Sequence, residues 1–136
     1  MEGLKVGEVA KHAGVNLQTI HYYERRGLLP KPPRTGSNYR VYPRGAVLRV
    51  RFIKRAQELG FTLKEIEELL SLRAAPRTRC SDVRGRAEAK VRDIDQKVGT
   101  LQAMRRALTK LIGECSGSRP VTECPILEAL NSEDER

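Results

Sequence analysis

The sequence predicts a mainly α-helical protein in which several short helices precede one long helix. In the first half, apolar residues recur at the three- and four-residue spacing of short amphipathic helices, interrupted by glycines and prolines. Residues 81–113 contain no proline and carry a narrow apolar stripe. Aromatic residues make up only 4% of the 136 residues and tryptophan is absent, so a small domain joined to an extended helix fits better than one large core.

The first two helices are predicted to be short and to meet at a tight turn. Residues 6–13 are expected to form a helix that Gly14 closes. Asn16 is the expected N-cap of a second helix over residues 17–26, and Gly27 is expected to end it in the left-handed conformation. Two short helices joined by a glycine-containing turn predict a helix-turn-helix.

A proline-rich segment follows, over residues 30–43. Its four prolines exclude a helix. Residues 38–42 alternate like a short strand, so we predict a two-stranded wing with a loop between Pro32 and Ser37.

Two further helices are predicted to complete this winged helix-turn-helix domain, which we assign to residues 1–75. The third helix is expected over residues 44–59. The fourth begins at Thr62, which can form a capping box with Glu65, and it breaks at residues 74–76.

A long helix is predicted over residues 82–113, within a dimerisation segment assigned to residues 80–114. Its apolar positions alternate in steps of four and three: Ala87, Val91, Ile94, Val98, Leu101, Leu108 and Ile112. Such a seam, on a helix about 45 Å long, needs a partner helix. Because no other segment is long enough, we predict an antiparallel coiled coil with a second copy of the chain. The alternative is packing against the shorter N-terminal helices.

Residues 115–130 are predicted to form a loop and a short helix. Residues 116–120 have the composition of a loop, and Cys124 and Pro125 open a helix over residues 126–130. We expect the acidic tail, residues 131–136, to be disordered.

The net charge is concentrated in the first part of the chain. Residues 1–80 hold 16 Lys and Arg against 7 acidic residues, a net charge of +9, while residues 81–136 hold 10 against 10. A basic domain is the electrostatic footprint of a nucleic-acid binder, although a solvated basic surface is the plainer alternative. No apolar run approaches the ~20 residues of a membrane span and no signal peptide opens the chain, so we expect a cytoplasmic protein.

The second helix and the wing supply the candidate DNA contacts. In a helix-turn-helix, the N-terminal part of the second helix enters the major groove. Its side chains with groups for base edges or phosphate oxygens are Gln18, Thr19, His21, Tyr22 and Arg25. In the wing, the candidate backbone clamp is Tyr39, Arg40 and Tyr42. Tyr23 is expected to lie in the core and Arg26 to face solvent.

Three cysteines lie at the ends of the long helix and in the loop after it. With a rise of about 1.5 Å per residue, Cys80 and Cys115 at the ends of one straight helix would lie roughly 50 Å apart. They cannot share a metal or a disulfide within one chain unless that helix breaks. Antiparallel pairing instead brings Cys80 of one chain beside Cys115 and Cys124 of the other, making two identical three-thiolate sites. Three thiolates without a nearby histidine suit a soft, thiophilic ion better than a closed zinc site. The alternative for each cysteine is buried packing.

The sequence contains no catalytic constellation: a glycine-rich phosphate loop, HExxH and CxxC are all missing. We therefore expect a protein that is not an enzyme. Two other classes stay open. A metal-storage or trafficking protein would not need the recognition helix and wing, and a thiol oxidoreductase would not separate its cysteines so widely.

Seven segments in residues 4–72 match one protein family in order and spacing. They are Val6-Gly-Glu-Val-Ala10, Gly14-Val-Asn16, Thr19-Ile-His-Tyr-Tyr-Glu24, Gly27-Leu-Leu-Pro30, Tyr39-Arg-Val-Tyr42, Arg51-Phe-Ile-Lys54 and Leu59-Gly-Phe-Thr-Leu-Lys-Glu-Ile66. On these residues the chain resembles the MerR family of bacterial transcription regulators. His21 departs from the usual arginine of that motif, which affects one phosphate or base contact and not the fold.

The C-terminal part resembles the mercury-responsive branch of this family. The matching elements are Cys80 before the dimer helix, Cys115-Ser-Gly-Ser-Arg-Pro-Val-Thr-Glu-Cys124 and Cys124-Pro-Ile-Leu-Glu-Ala-Leu130. Lead and cadmium sensors are the closest competitors. Copper sensors lack a matching cysteine before the dimer helix, and zinc sensors usually add loop ligands that Ser116-Gly-Ser118 does not supply.

The resemblance implies a mechanism. The homodimer would bind a dyad operator between two promoter elements whose spacing is too long for RNA polymerase, and would repress without metal. With one Hg(II) in each three-cysteine site, two per dimer, it would untwist the DNA so that the elements align and mercury-resistance genes are transcribed. Such deformation costs on the order of a few kcal/mol, which thiolate binding could supply.

Overall fold

The computed structural model describes residues 3–131, and these form six α-helices and one short 3-10 helix. The α-helices are α1 Val6–Ala13, α2 Leu17–Arg25, α3 Gly45–Glu58, α4 Leu63–Ala74, α5 Cys80–Glu114 and α6 Pro125–Leu130, and the 3-10 helix Val121–Glu123 precedes α6. The mainly α-helical class is therefore confirmed. No helix in this part of the chain combines the length and the apolar character needed to cross a membrane.

The chain divides into two compact units, Met1–Lys90 and Val91–Arg136. The first unit therefore reaches beyond residue 75, where we expected the N-terminal domain to end, and includes the first turns of α5. Most of the predicted acidic tail, residues 132–136, lies outside the described residues.

Local capping groups set the helix ends where the sequence predicted them. Gly14 closes α1 with φ 74° and Gly27 follows α2 with φ 76°, both in the left-handed region that glycine adopts without strain. The Asn16 side chain accepts a hydrogen bond from the Thr19 backbone N–H at 2.8 Å. At α4, the Thr62 N–H donates to the Glu65 carboxylate at 2.8 Å and the Glu65 N–H donates to the Thr62 hydroxyl at 3.1 Å, which confirms the capping box.

The segment between α2 and α3 contains no β-strand among the described residues, so the predicted two-stranded wing is wrong in its strands. Two isolated antiparallel bridges replace them, Leu4 with Tyr42 and Arg34 with Arg40. The tip is a turn in which the Thr35 N–H donates to the Tyr39 carbonyl at 2.7 Å. The prolines on both sides provide no backbone N–H, so a longer ladder cannot form.

The core of the first unit fixes α2 against α3. Buried side chains come from α1 to α4 and the segments between them: Val9, Ala10, Ala13, Ile20, Tyr23, Leu28, Leu29, Tyr42, Ala46, Val50, Ile53, Ala56 and Ile66. The Tyr23 hydroxyl donates to the Gln57 side chain at 2.6 Å, and the Arg49 guanidinium donates to the Leu28 carbonyl at 2.7 Å. Tyr23 is thus a core residue, as expected, and α2 is held in one orientation.

Two ion pairs tie the first turns of α5 to α4. Lys90 Nζ lies 2.8 Å from a Glu65 carboxylate oxygen, and Arg86 pairs with Glu68. Lys90 is only 6% exposed, and its ammonium also lies 5.6 Å from the centre of the Phe61 ring. The hydrogen bond from Lys90 is the largest cause that lowers the pKa of Glu65. These contacts connect the helix that begins at Cys80 to the helix-turn-helix.

Candidate DNA interface and thiol sites

One face of α2 presents a row of polar side chains to solvent. Gln18, His21, Tyr22 and Arg25 are exposed at the spacing of one helix face, while Ile20 points into the core. The row borders a shallow concave surface. Thr19 lies at its edge, where both its backbone N–H and its hydroxyl bind the Asn16 side chain. The structure therefore brings the predicted α2 residues together, with Thr19 engaged in the helix cap.

A cationic cluster forms at the C-terminal end of this row. The guanidinium groups of Arg25 and Arg26 lie 5.7 and 5.8 Å from the centre of the Tyr22 ring. Arg26 also donates a hydrogen bond to the Tyr22 hydroxyl at 3.0 Å. Arg26 faces solvent, as expected, and it adds a second positive charge beside Arg25.

A buried carboxylate, Glu24, links the row to the core. His21 Nδ1 lies 3.3 Å from one Glu24 carboxylate oxygen, and the Tyr42 hydroxyl donates to the other. The Glu24 side chain is 2% exposed, whereas that of His21 is 52% exposed. Glu24 was not among the site residues predicted from the sequence, because the residues around a glutamate in a short polar helix do not indicate that it is buried.

Tyr42 is only 1% exposed, so the expectation that it contacts DNA does not fit the structure. Burial and the hydrogen bond to Glu24 raise the pKa of Tyr42 far above its ordinary value, so the hydroxyl stays protonated and donates. Tyr42 is a core residue that holds Glu24.

The turn before α3 carries the other two predicted wing residues at the surface. The Tyr39 side chain is exposed, and Lys5 Nζ lies 4.6 Å from the centre of its ring. Arg40 is half-buried and donates to the Pro32 carbonyl at 3.3 Å. Lys5, which precedes α1 in the sequence, is a cation of this surface that no sequence pattern indicated.

Replacing Tyr42 by Phe is expected to lower the free energy of unfolding by about 1.5–3 kcal/mol, because a buried carboxylate loses a charge-assisted hydrogen bond. Tyr23→Phe is the matched control: it removes a hydroxyl bound to the neutral amide of Gln57, for which the cost is about 0.5–1.5 kcal/mol. Urea denaturation of both variants measures the difference. Equal losses of unfolding free energy would mean that the hydrogen bond to Glu24 stabilises the fold no more than the one to Gln57 does.

All three cysteines are free thiols. Cys80 and Cys115 are exposed and Cys124 is half-buried. Cys80 lies in the first compact unit, and the other two lie in the second. Within residues 3–131 of a single chain, no group of three or more His, Cys, Asp or Glu side chains is placed to hold a metal ion.

Cys80 borders an apolar cavity of the first unit with a volume of about 550 Å³. Helices α3, α4 and α5 line it with apolar side chains, among them Phe52, Ala56, Leu69, Leu72 and Val83. In α6, the side chains of Leu127 and Leu130, close to Cys124 in the chain, are exposed. Neither the cavity nor the exposed leucines were predicted from the sequence. A cavity needs side chains from several helices, and the exposure of a leucine depends on what packs against it.

Comparison with known protein families covers residues 4–111, which hold nearly all of the first unit and most of α5. Residues 4–72 match a family described as MerR HTH family regulatory protein, and residues 47–111 match one described as MerR, DNA binding. The chain belongs to the MerR family of transcription regulators. The resemblance inferred from the sequence motifs is therefore confirmed.

Individual members of the MerR family are similar over nearly the whole chain. The mercuric resistance operon regulatory protein of Bacillus cereus is 44% identical over 93% of this chain and 96% of its own length. That of Serratia marcescens is 41% identical over 99% and 92%. Among solved structures, the lead(II) complex of the transcription regulator PbrR691 from Ralstonia metallidurans CH34 is 36% identical, with a TM-score of 0.82 over 93% of this chain and 98% of that one.

Proposed function

We propose that this MerR-family regulator responds to Hg(II). As a homodimer in the bacterial cytoplasm it binds an operator in promoter DNA, represses without the metal, and activates mercury-resistance genes when Hg(II) is bound. The observation that carries the proposal is the set of three free thiols at the start of α5, just after its end and just before α6. Relatives named as mercuric resistance regulators support it.

The donor set fits a soft metal ion. Thiolates are the ligands that soft ions prefer, whereas a structural zinc site is usually closed by four Cys or His ligands. The only two histidines of the chain, His12 and His21, belong to α1 and α2. Three sulfur ligands without a fourth donor therefore favour Hg(II) over Zn(II).

The length of α5 supports a site shared between two chains. This helix runs as a single element from Cys80 to Glu114, and an α-helix of its 35 residues is about 50 Å long. A mercury–sulfur site needs ligands within a few ångströms, so Cys80 cannot join Cys115 and Cys124 of its own chain. Antiparallel pairing of two α5 helices gives each site Cys80 from one chain and the other two cysteines from its partner, hence one Hg(II) per site and two per dimer.

The exposed seam of α5 supports the dimer. Its apolar residues are between 40% and 63% exposed in the single chain: Val91, Ile94, Val98, Leu101, Leu108 and Ile112. They follow the heptad spacing of a coiled coil. Such a stripe is unfavourable in water, and a second α5 helix would bury it.

The apolar surfaces near the cysteines support the same arrangement. If Cys124 meets the partner's Cys80 across the dimer, the exposed leucines of α6 come close to the apolar cavity beside Cys80. Fully burying one leucine side chain is worth about 1.5–3 kcal/mol. The metal ligands and the apolar contacts would therefore stabilise one interface.

The ion pairs between α4 and α5 offer a route from the thiols to the DNA. Bound Hg(II) would hold sulfur atoms of both chains together at the first turn of α5. Arg86 and Lys90, on the following turns, are paired with Glu68 and Glu65 of α4, which in turn packs against α3. A shift of the Cys80 turn is thereby passed to the helix-turn-helix, where it can change the twist of the bound promoter and its alignment for RNA polymerase.

Replacing Arg40 by Ala is expected to weaken binding to operator and unrelated DNA alike, because Arg40 contacts the phosphate backbone in this proposal. The slope of log affinity against log salt should fall in magnitude by about 0.9, the share of one phosphate contact.

Arg25→Ala should instead reduce the preference for the operator by about 1–3 kcal/mol if it reaches a base edge.

Fluorescence anisotropy at several salt concentrations measures both effects. Arg106→Ala is the matched control, since it removes the same charge from an exposed position of α5 in the second unit. An unchanged salt slope in Arg40→Ala would remove this residue from the interface.

A promoter–reporter assay with Hg(II), Cd(II), Pb(II) and Zn(II) at equal concentrations tests the metal assignment. Hg(II) is expected to activate at the lowest concentration. Stronger activation by Pb(II) would favour the lead-sensor alternative, which the similarity to the lead-bound structure keeps relevant. Metal binding without promoter binding would instead favour a storage or trafficking protein.

A further inference from the structure

We propose that His21 contacts DNA as an imidazolium, so that operator binding takes up a proton at this residue. The proposal rests on the DNA-binding role of α2. It adds a dependence of DNA affinity on pH near neutrality, which the arginines of the same surface cannot provide. Histidine is the side chain whose charge changes between about pH 5 and 8. It is the one residue of the exposed α2 row with this behaviour, since its neighbours are Gln18, Tyr22 and Arg25.

Glu24 determines which nitrogen of His21 carries the hydrogen. An ionised carboxylate only accepts hydrogen bonds, and Glu24 lies 3.3 Å from Nδ1 of the ring. The Tyr42 hydroxyl donates to the second carboxylate oxygen, so the first oxygen is the one that faces the His21 ring. Nδ1 therefore holds the hydrogen, and Nε2 is the nitrogen available to DNA.

This arrangement gives Nε2 opposite properties in the two charge states. In the neutral ring Nε2 is an acceptor, which repels phosphate oxygens and the N7 and O6 atoms of guanine. In the imidazolium Nε2–H is a donor, and its hydrogen bond to a phosphate is charge-assisted. Binding to an acceptor atom of DNA thus requires the proton.

The surroundings of His21 permit this change. Two charged side chains of its own helix are close to it in the chain, Glu24 and Arg25, and Glu24 contacts its ring. The segment before α3 contributes Tyr42, which bonds to Glu24 and is itself close to Arg40. Helix α1, which contacts α2, faces the core with apolar Val9, Ala10 and Ala13. DNA adds negative charge on the exposed side of the ring, and this favours its charged form.

The test is operator affinity between pH 5.5 and 8.5 at constant ionic strength, measured on the metal-free, reduced full-length protein. Wild type is expected to bind at least about fivefold more tightly at pH 6 than at pH 8, and no more than about tenfold per pH unit, because one proton is taken up. His21→Arg should bind with little pH dependence, and His21→Gln should be equally flat and weaker than wild type at pH 6. His12→Gln removes the other histidine of the chain and should keep the wild-type profile.

Wild-type and His21→Arg profiles that coincide would overturn the proposal. A wild-type affinity for the operator that falls as the pH is lowered would also overturn it. That result is expected if Nε2 of the neutral ring accepts a hydrogen bond from adenine N6 or cytosine N4. NMR of the His21 ring in free and operator-bound protein gives a second readout: the ring should be more protonated in the complex at pH 7. Failure to bind the operator at any pH would contradict the proposed function itself, whereas pH-independent binding contradicts only this inference.

Discussion

Mixing two inactive cysteine variants is expected to restore one mercury site per dimer. A Cys80→Ser chain and a Cys115→Ser/Cys124→Ser chain each lack a complete site as homodimers. In their heterodimer, one end combines both defects, and the other combines the intact Cys80 of one chain with the intact Cys115 and Cys124 of its partner. We expect about one tightly held Hg(II) per heterodimer, against two in wild type and none in either parent.

The measurement uses heterodimers purified through two different tags, with metal content determined after dialysis against a competing thiol. The matched control pairs a wild-type chain with a triple Cys80→Ser/Cys115→Ser/Cys124→Ser chain. A shared site predicts no complete site in this control, whereas a site within one chain predicts one, so the two heterodimers give opposite results for the two arrangements. The cysteine variants should keep metal-free operator binding, because the cysteines lie outside the α2 surface, and should lose activation by Hg(II).

Charging the apolar seam of α5 is expected to separate the dimer and to weaken operator binding strongly. In a Val98→Glu/Leu101→Glu variant, each glutamate would enter a coiled-coil interface and lose its hydration, so the dimer should dissociate. A monomer can engage only one half of a dyad operator, and losing the second half typically lowers affinity by about 10²–10⁴-fold. Light scattering measures the mass, and anisotropy measures the operator affinity.

A control with the same charge change is available on the opposite side of α5. Gln96→Glu/Ala103→Glu also adds two negative charges, at exposed positions away from the seam. This variant should remain dimeric and bind the operator within a few fold of wild type. An unchanged dimer mass in the Val98/Leu101 variant would contradict the coiled-coil prediction, and dissociation of both variants would point to general repulsion.

The helices could be predicted closely because their ends depend on neighbouring residues. Gly14, Gly27 and the pair Thr62–Glu65 act within one helical turn, and all three ends lie where the sequence places them. The family follows from motifs of the same local kind. The strands of the wing were predicted wrongly. A strand forms only where its backbone pairs with that of a second strand, and the alternation of five residues does not show that the flanking prolines prevent this pairing.

The candidate DNA surface was predicted in part. Gln18, His21, Tyr22 and Arg25 share the exposed face of α2, as a helical spacing requires. Tyr39 and Tyr42 have the same residue type and nearly the same position in the sequence, yet one is exposed and the other is in the core. Contacts with distant residues distinguish them, because Tyr42 is bridged to Leu4 and its hydroxyl donates to Glu24 of α2.

The sequence alone therefore determined the helical class, the capped helix ends at Gly14, Gly27 and Thr62, the family and the set of three cysteines, because each depends on the identity and spacing of residues close in the chain. The tertiary structure decided which groups meet across the fold. The Glu24–Tyr42 hydrogen bond joins residues 18 apart, and the Lys90–Glu65 ion pair joins two different helices. Burial is a property of such distant pairs, which is why the structure was needed to show a buried carboxylate behind His21 and a buried ammonium, that of Lys90, on α5.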